Sequence, residues 1–245
     1  MTPDRFLMTA FERVYIINLP ERGDRRAEVA RQFDRIGHPV DGDRVRFFTA
    51  TRPADKGPFP SIGARGCFMS HLRVLEDALA AGLDSVLICE DDLDFAPDLA
   101  TRDLAGDAAA GGADWRIFYG GYESLATSTR AAARDGFAIV PPVEAIRTTH
   151  CLGLRGGAIA DCASYLRRML ARPAGDPAGG PMHVDGAYSW FRRENSGHVT
   201  VATVPPIGLQ RASRSDIADV AWYDRVTALA AVLRVLRRVK KRMRA

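Results

Sequence analysis

The sequence has no apolar run near the ~20 residues that a helix needs to cross a bilayer, so no membrane span is expected. Its four cysteines (Cys67, Cys89, Cys151 and Cys162) show no Cys-x-x-Cys pair and no zinc-like spacing. That argues against a disulfide scaffold or a zinc ribbon, and reads as small buried thiols in a reducing compartment. Basic, apolar and small-residue regions do not follow one another in signal-peptide order. The expected location is therefore cytoplasmic. No internal repeat and no low-complexity tract is present. Basic residues are not interleaved with aromatics in a stacking platform, so nucleic acid is not an expected partner.

What is present suits an α/β enzyme. The 245 residues, 47% apolar and 26% charged, suffice for one large domain or two small ones. Strand-like and helix-like segments alternate, which predicts an α/β fold with a mostly parallel sheet. The expected strands are Val14–Leu19, Val45–Ala50, the four apolar residues Val86–Cys89, Trp115–Tyr119 and Val199–Val204, with extended segments over Ala138–Val143 and Ala145–Leu154. The expected helices run from about Asp24 to Ile36, Cys67 to Ala81 and Ala158 to Ala171, with a short one opened by His183–Gly186. Ile62–Gly66 reads as a flexible approach, which puts Ser70 and His71 in the first turns of their helix. A weak helix and loop are expected over Leu99–Ala113, and a polar irregular stretch over Ser124–Phe137.

The centre of the chain is Ser85-Val86-Leu87-Ile88-Cys89-Glu90-Asp91-Asp92-Leu93. A buried strand that runs straight into three carboxylates is costly unless a cation sits among them. In an open α/β sheet that cluster lies at the carboxyl edge, where ligands bind. The acids are therefore candidate ligands for a divalent cation. The plainer alternative is a solvated turn in which Asp91 or Asp92 caps a short helix.

The positive charge is concentrated elsewhere. Between Arg234 and Arg244 lie seven basic residues and no acid, while the whole chain carries only +4. Leu229, Val232, Leu233, Leu236 and Val239 fall close to one helical face. Residues 226–245 thus read as a basic amphipathic helix, able to lie on anionic lipid at the inner face of a membrane or to pack on its own domain.

Several blocks stand in a fixed order: Val14-Tyr15-Ile16-Ile17-Asn18-Leu19-Pro20 with Asp24-Arg25-Arg26, then Gly66-Cys67-Phe68-Met69-Ser70-His71-Leu72, then Glu90-Asp91-Asp92. Asp185-Gly186 and Gln210 with Ser215-Asp216-Ile217 follow. The pattern resembles glycosyltransferase family 25, the group with lipooligosaccharide galactosyltransferases and collagen galactosyltransferase domains. The resemblance implies a GT-A-like, Rossmann-type sheet with helices on both faces. It places a family domain over 1–225, with a nucleotide half near 12–122 and an acceptor half near 123–225. It implies a UDP-sugar donor (galactose favoured), a saccharide or lipid-linked glycan acceptor in lipopolysaccharide or other cell-surface glycan synthesis, inversion at the anomeric carbon, and Mn2+ or Mg2+. Glu90 stands where the best-known Asp-x-Asp pattern has its first aspartate.

On that basis Glu90 and Asp92 are the expected metal ligands, with Asp91 as a further ligand or a ribose contact. His183, ahead of His150 and His198, is the histidine candidate. Asp185 is the candidate catalytic base, or else the cap of its helix. Asn18, Leu19, Asp24 and Arg25 follow the first strand on the donor side. Arg25 either meets phosphate or pairs with Asp24 or Glu28. Thr49, Ala50, Ser70, His71, Gly120 and Gly121 are further donor-side candidates, and for Ser70 and His71 the alternative is packing. Gln210, Ser215 and Asp216 are candidates for closing over the site. Two other readings remain: a metal-dependent phosphoryl-transfer or nuclease enzyme, which lacks a second acidic cluster, and an inactive member that binds nucleotide or glycan.

Overall fold

The computed structural model describes residues 2–99, 101–102 and 114–211. The basic helix expected over 226–245, Ser215, Asp216 and most of the 99–113 segment lie outside the described residues.

Nine strands and six helices form an α/β fold among the described residues. The main run of strands is ordered β2 (Val45–Thr49), β1 (Arg13–Asn18), β3 (Ser85–Glu90), β7 (Cys151–Arg155), β5 (Trp115–Gly121), β8 (Val199–Thr203) and β6 (Phe137–Val140). β4 (Leu93–Phe95) pairs with β9 (Gly208–Gln210), which joins the end of β5. β1 is parallel to both β2 and β3, and β5 is parallel to β8 and β9. β7 runs antiparallel between β3 and β5, while β6 and β4 oppose β8 and β9. The sheet is thus mostly parallel in strand sense, with β7 reversed at its centre.

Helices cover both faces, and the strand pleat decides which side chains meet them. Tyr15, Ile17, Val86, Ile88, Ile117, Tyr119, Leu152 and Leu154 join one core with α3 (Ile62–Ala80), α5 (Gly157–Leu170) and α6 (Val184–Glu194). Their neighbours Val14, Ile16, Leu87, Cys89, Phe118 and Cys151 join the other, with α1 (Pro3–Ala10) and α2 (Gly23–Arg35). Phe6 of α1 and Phe11 beyond it pack on Phe118, with ring centroids 5.5 and 5.6 Å away. α6 is anchored by the buried Arg192, which donates to Thr200 Oγ1 at 3.0 Å and to the carbonyls of Pro141 and Glu144 at 2.9 and 2.8 Å.

Three local expectations change. α3 starts at Ile62, not Cys67, because Ser61 caps it by accepting from Ala64 N–H at 3.0 Å. Gly66 is therefore helical, and its lack of a side chain lets the Thr51 carbonyl approach: a Cβ there would sit 2.7 Å from that oxygen. Ser70 and His71 consequently lie well inside the helix, away from its first turn. The expected extended run over 145–154 contracts to β7, and the polar stretch after Ser124 contains a short helix, α4 (Thr127–Ala131). All four cysteines are free thiols, three of them buried.

Candidate functional site

The carboxyl ends of β1, β2, β3 and β5 share one edge of the sheet, and the reversed β7 brings its amino end to that edge. Asn18, Thr49, Glu90 and Gly121 end their strands there, and Thr149 and His150 lead into β7. The three acids after β3 are thus at the ligand edge of an α/β sheet, and each has a different environment.

Asp91 is buried and locked. Asn18 Nδ2 donates to its Oδ2 at 2.8 Å, and Arg25 Nη1 donates to its Oδ1 at 3.0 Å. This ion pair joins β1, α2 and the β3 edge. Asn18 and Arg25 therefore both reach the acidic cluster, and Arg25 pairs with Asp91. Asp24 instead faces Arg22, whose two guanidinium bonds of 2.9 and 2.8 Å hold its carboxyl below the usual range.

Glu90 points toward α3. Its Oε1 accepts from Thr149 Oγ1 at 3.1 Å and lies 3.6 Å from His71 Nε2 and 4.0 Å from Cys67 Sγ. Burial opposes ionisation of Glu90, but His71, with His150 and Thr149 behind it, holds the carboxyl below its ordinary value. Cys67 feels the same burial, and Glu90, Asp185, Asp92 and Asp91 add to it, so its thiol is pushed well up.

Asp92 is the least satisfied of the three. Its Oδ1 is buried with no hydrogen-bond partner, while its Oδ2 accepts from Gln210 Nε2 at 3.1 Å. Burial and the neighbouring Glu90 charge push its carboxyl up to about 7, against the pull of Gln210. Gln210 thus reaches the cluster from β9, and Arg211 N–H donates to the Asp92 carbonyl at 2.7 Å.

Asp185, in the first turn of α6, approaches from the other side. Its Oδ2 accepts from Thr148 N–H at 3.2 Å and its Oδ1 from Gly186 N–H at 2.8 Å. Thr148 is held at φ +64°, uncommon for a β-branched residue, and adjoins the Thr149 that bonds Glu90. Asp185 is therefore linked to the cluster through two consecutive residues. His183 is the exposed residue at the start of α6. His150 is buried and lies against the Gly208 carbonyl at 3.1 Å, and burial depresses its pKa. His198 pairs with Asp161.

The other candidates have the following surroundings. Ser70 Oγ donates to Gly66 O at 2.6 Å and accepts from Thr51 N–H at 2.8 Å, which pins the β2–α3 loop to the helix. A side chain at Gly121 would overlap the His150 ring, and one at Gly120 would lie 2.9 Å from Cys151 Sγ. Leu19 and Ala50, just past the ends of β1 and β2, are half-buried. Thr49 lines an open cleft of about 600 Å³ with Arg26, Arg46 and Arg73. The Arg26 guanidinium stacks 3.8 Å from the Phe47 ring centroid, and Arg46 is paired with Asp77.

The convergence of Cys67 and His71 on Glu90 was missed in the sequence. Both residues sit in the quoted Gly66–Leu72 block, and the signal was their i, i+4 spacing, which puts them on one helical face.

The fold is an α/β sheet flanked by helices, with an acidic cluster at the carboxyl edge, the edge at which open α/β sheets generally take ligands. Residues 11–106 match the family model described as "Glycosyltransferase family 25 (LPS biosynthesis protein)". The segment holds the first three motif blocks.

Among curated relatives, a "Glycosyltransferase 25 family member" of Anopheles gambiae is 31% identical over 132 residues, 46% of this chain and 22% of that protein. The human "Inactive glycosyltransferase 25 family member 3" is 27% identical over 179 residues, 65% of this chain and 30% of that protein. The mouse "Procollagen galactosyltransferase 2" is 27% identical over 141 residues, 50% of this chain and 22% of that protein. The chain spans less than a third of the length of these relatives. A solved glycosyltransferase involved in glycosylation of the PBCV-1 major capsid aligns with 10% identity and a TM-score of 0.47, over 83% of this chain and 94% of that one.

Proposed function

We propose that the protein is a glycosyltransferase that moves a hexose, galactose favoured, from a UDP-sugar to a saccharide acceptor. The observation that carries this reading is the buried, unpartnered Oδ1 of Asp92 at the ligand edge of the family 25 segment. The name of the mouse procollagen galactosyltransferase favours galactose.

The orphaned oxygen of Asp92 and the adjacent Glu90 fit a hard divalent cation such as Mn2+ or Mg2+. Such a cation, held there, would supply charge neutralisation to the diphosphate of the leaving nucleotide. Asp92 is then the main carboxylate ligand, Glu90 stands beside it, and Gln210 orients Asp92 from β9. Asp91 acts through Asn18 and Arg25 by fixing the edge on which the donor rests. Asp185 takes the proton from the acceptor hydroxyl in a single inverting displacement. The arginine-lined cleft beside Thr49 offers further positive charge to an anionic ligand. The acceptor belongs to a lipid-linked or other cell-surface glycan, with the basic residues 226–245 attracted to anionic lipid.

The test is release of UDP from UDP-galactose, with and without saccharide acceptors, followed by phosphate-coupled detection. Metal-dependent release that falls in Asp92→Asn and Asp185→Asn supports the reading. A second reading, a nucleotide- or glycan-binding module without turnover, is favoured by the human relative whose name calls it inactive. UDP binding with no release from any donor would select it.

A further inference from the structure

We propose that Cys67, His71 and Glu90 form a binding site for a thiophilic divalent ion of the Zn2+ class. The site stands on donor geometry and does not rest on the glycosyl-transfer reading.

Cys67 and His71 are one helical turn apart on α3, and Glu90 faces them from the end of β3. One ligand atom from each of the three lies within 4.8 Å of the other two. Tetrahedral zinc, with bonds of about 2.3 Å to sulfur and 2.0–2.2 Å to nitrogen and oxygen, separates N and O ligands by about 3.4 Å and S and O ligands by about 3.6 Å. The structure has 3.6 Å between His71 Nε2 and Glu90 Oε1, and 4.0 Å between Cys67 Sγ and the same oxygen. These two separations are within a few tenths of an ångström of the tetrahedral values, and Cys67 and His71 keep a donor pair within 4.8 Å.

A second observation points to a ligand. His71 is fully buried, and its Nε2 makes no hydrogen bond: it faces Glu90 Oε1 at 3.6 Å, beyond hydrogen-bond reach. Leaving such an atom unpaired is costly. Its Nδ1 lies 3.1 Å from the Tyr188 hydroxyl. When Nδ1–H donates to that oxygen, the Nε2 lone pair is directed at the cluster, as in histidines that hold metals. Thr149 orients the carboxylate in the same way through its 3.1 Å bond to Oε1.

The donor set selects the ion. Thiolate with imidazole favours zinc-class ions over Mn2+ or Mg2+, which prefer oxygen alone. Three protein donors leave the fourth tetrahedral position open, as in zinc sites that engage a water or a substrate. This distinguishes the site from the carboxylate centre at Asp92, with which it shares only Glu90.

The test is titration of the purified metal-stripped protein with Co2+, read by thiolate-to-cobalt charge-transfer absorption, followed by displacement with Zn2+. The expected result is one equivalent bound, with the band abolished in Cys67→Ser and retained in Asp92→Asn. Tyr188→Phe, which keeps the ring in the core, is expected to weaken affinity about 10- to 100-fold. Circular dichroism of each variant confirms folding. Absence of the band in the wild-type protein, or its persistence in Cys67→Ser, overturns the proposal. So does its loss in a folded Asp92→Asn, which would assign the ion to the carboxylate centre.

Discussion

Arg25 and Asp91, 66 residues apart in sequence, form a buried ion pair at 3.0 Å in which Asn18 takes the second carboxylate oxygen. The pair ties α2 to the end of β3, and it makes the middle acid of the triplet a structural one. Removing Arg25 takes the only cation bonded in the pair from the buried Asp91 carboxylate, and removing Asp91 breaks the same buried pair. Arg25→Met or Asp91→Ala is expected to cost about 3–5 kcal/mol in urea unfolding. Arg25→Met combined with Asp91→Leu is expected to recover much of that loss. Single variants no less stable than wild type would show that the pair does not hold the edge.

Asp185 has two possible duties, and they separate experimentally. As a base it should lose about 10²- to 10⁴-fold in turnover when changed to Asn, with little change in melting temperature. Asp185 is not the N-cap, which is His183; if it only anchors the first turn of α6 by accepting from Thr148 and Gly186 N–H, Asp185→Ala should lose stability while turnover per folded molecule is unchanged. Measuring both quantities on both variants decides between them.

Gly121 is set by packing. A methyl group there would enter the space of the buried His150 imidazole, whose Nε2 is already engaged with Gly208. Gly121→Ala is expected to destabilise by about 1–3 kcal/mol through overpacking. Thermal unfolding checks this, and an unchanged melting temperature would show that the ring can move aside.

Asp41 gives a pH dependence of definite sign. The backbone N–H groups of Asp43, Arg44 and Val45 donate to its Oδ1 at 2.9, 3.1 and 3.2 Å, and they hold its carboxyl below the ordinary 3.8. A carboxyl lowered on folding stabilises fully above its unfolded value and loses that contribution as pH falls through the folded value. The stability difference between wild type and Asp41→Ala should therefore be largest at neutral pH and shrink below about pH 4. A difference independent of pH would assign the effect to chain geometry alone.

The α/β pattern and the acidic edge were legible because both are local. Val86–Cys89 is a continuous apolar run, and the acids follow it without a break. What was hidden is who partners each acid, since Asn18, Arg25, His71, Thr149 and Gln210 come from five separate places in the chain. The start of α3 was misread for a related reason. Gly63 and Gly66 look like loop residues, yet both are helical after the Ser61 cap, and position 66 takes glycine because a Cβ there would meet the Thr51 carbonyl. The reversed β7 was also hidden, because a short apolar strand carries no mark of its direction.

The central claim is that the edge around Asp92 binds a nucleotide diphosphate with a divalent cation. The most direct measurement is calorimetric titration of UDP into the wild-type protein and into Asp92→Asn, each with and without Mn2+. The account predicts binding that requires Mn2+ and is lost in a folded Asp92→Asn protein. No UDP binding to the wild type under either condition, or equal binding to both proteins, would contradict it.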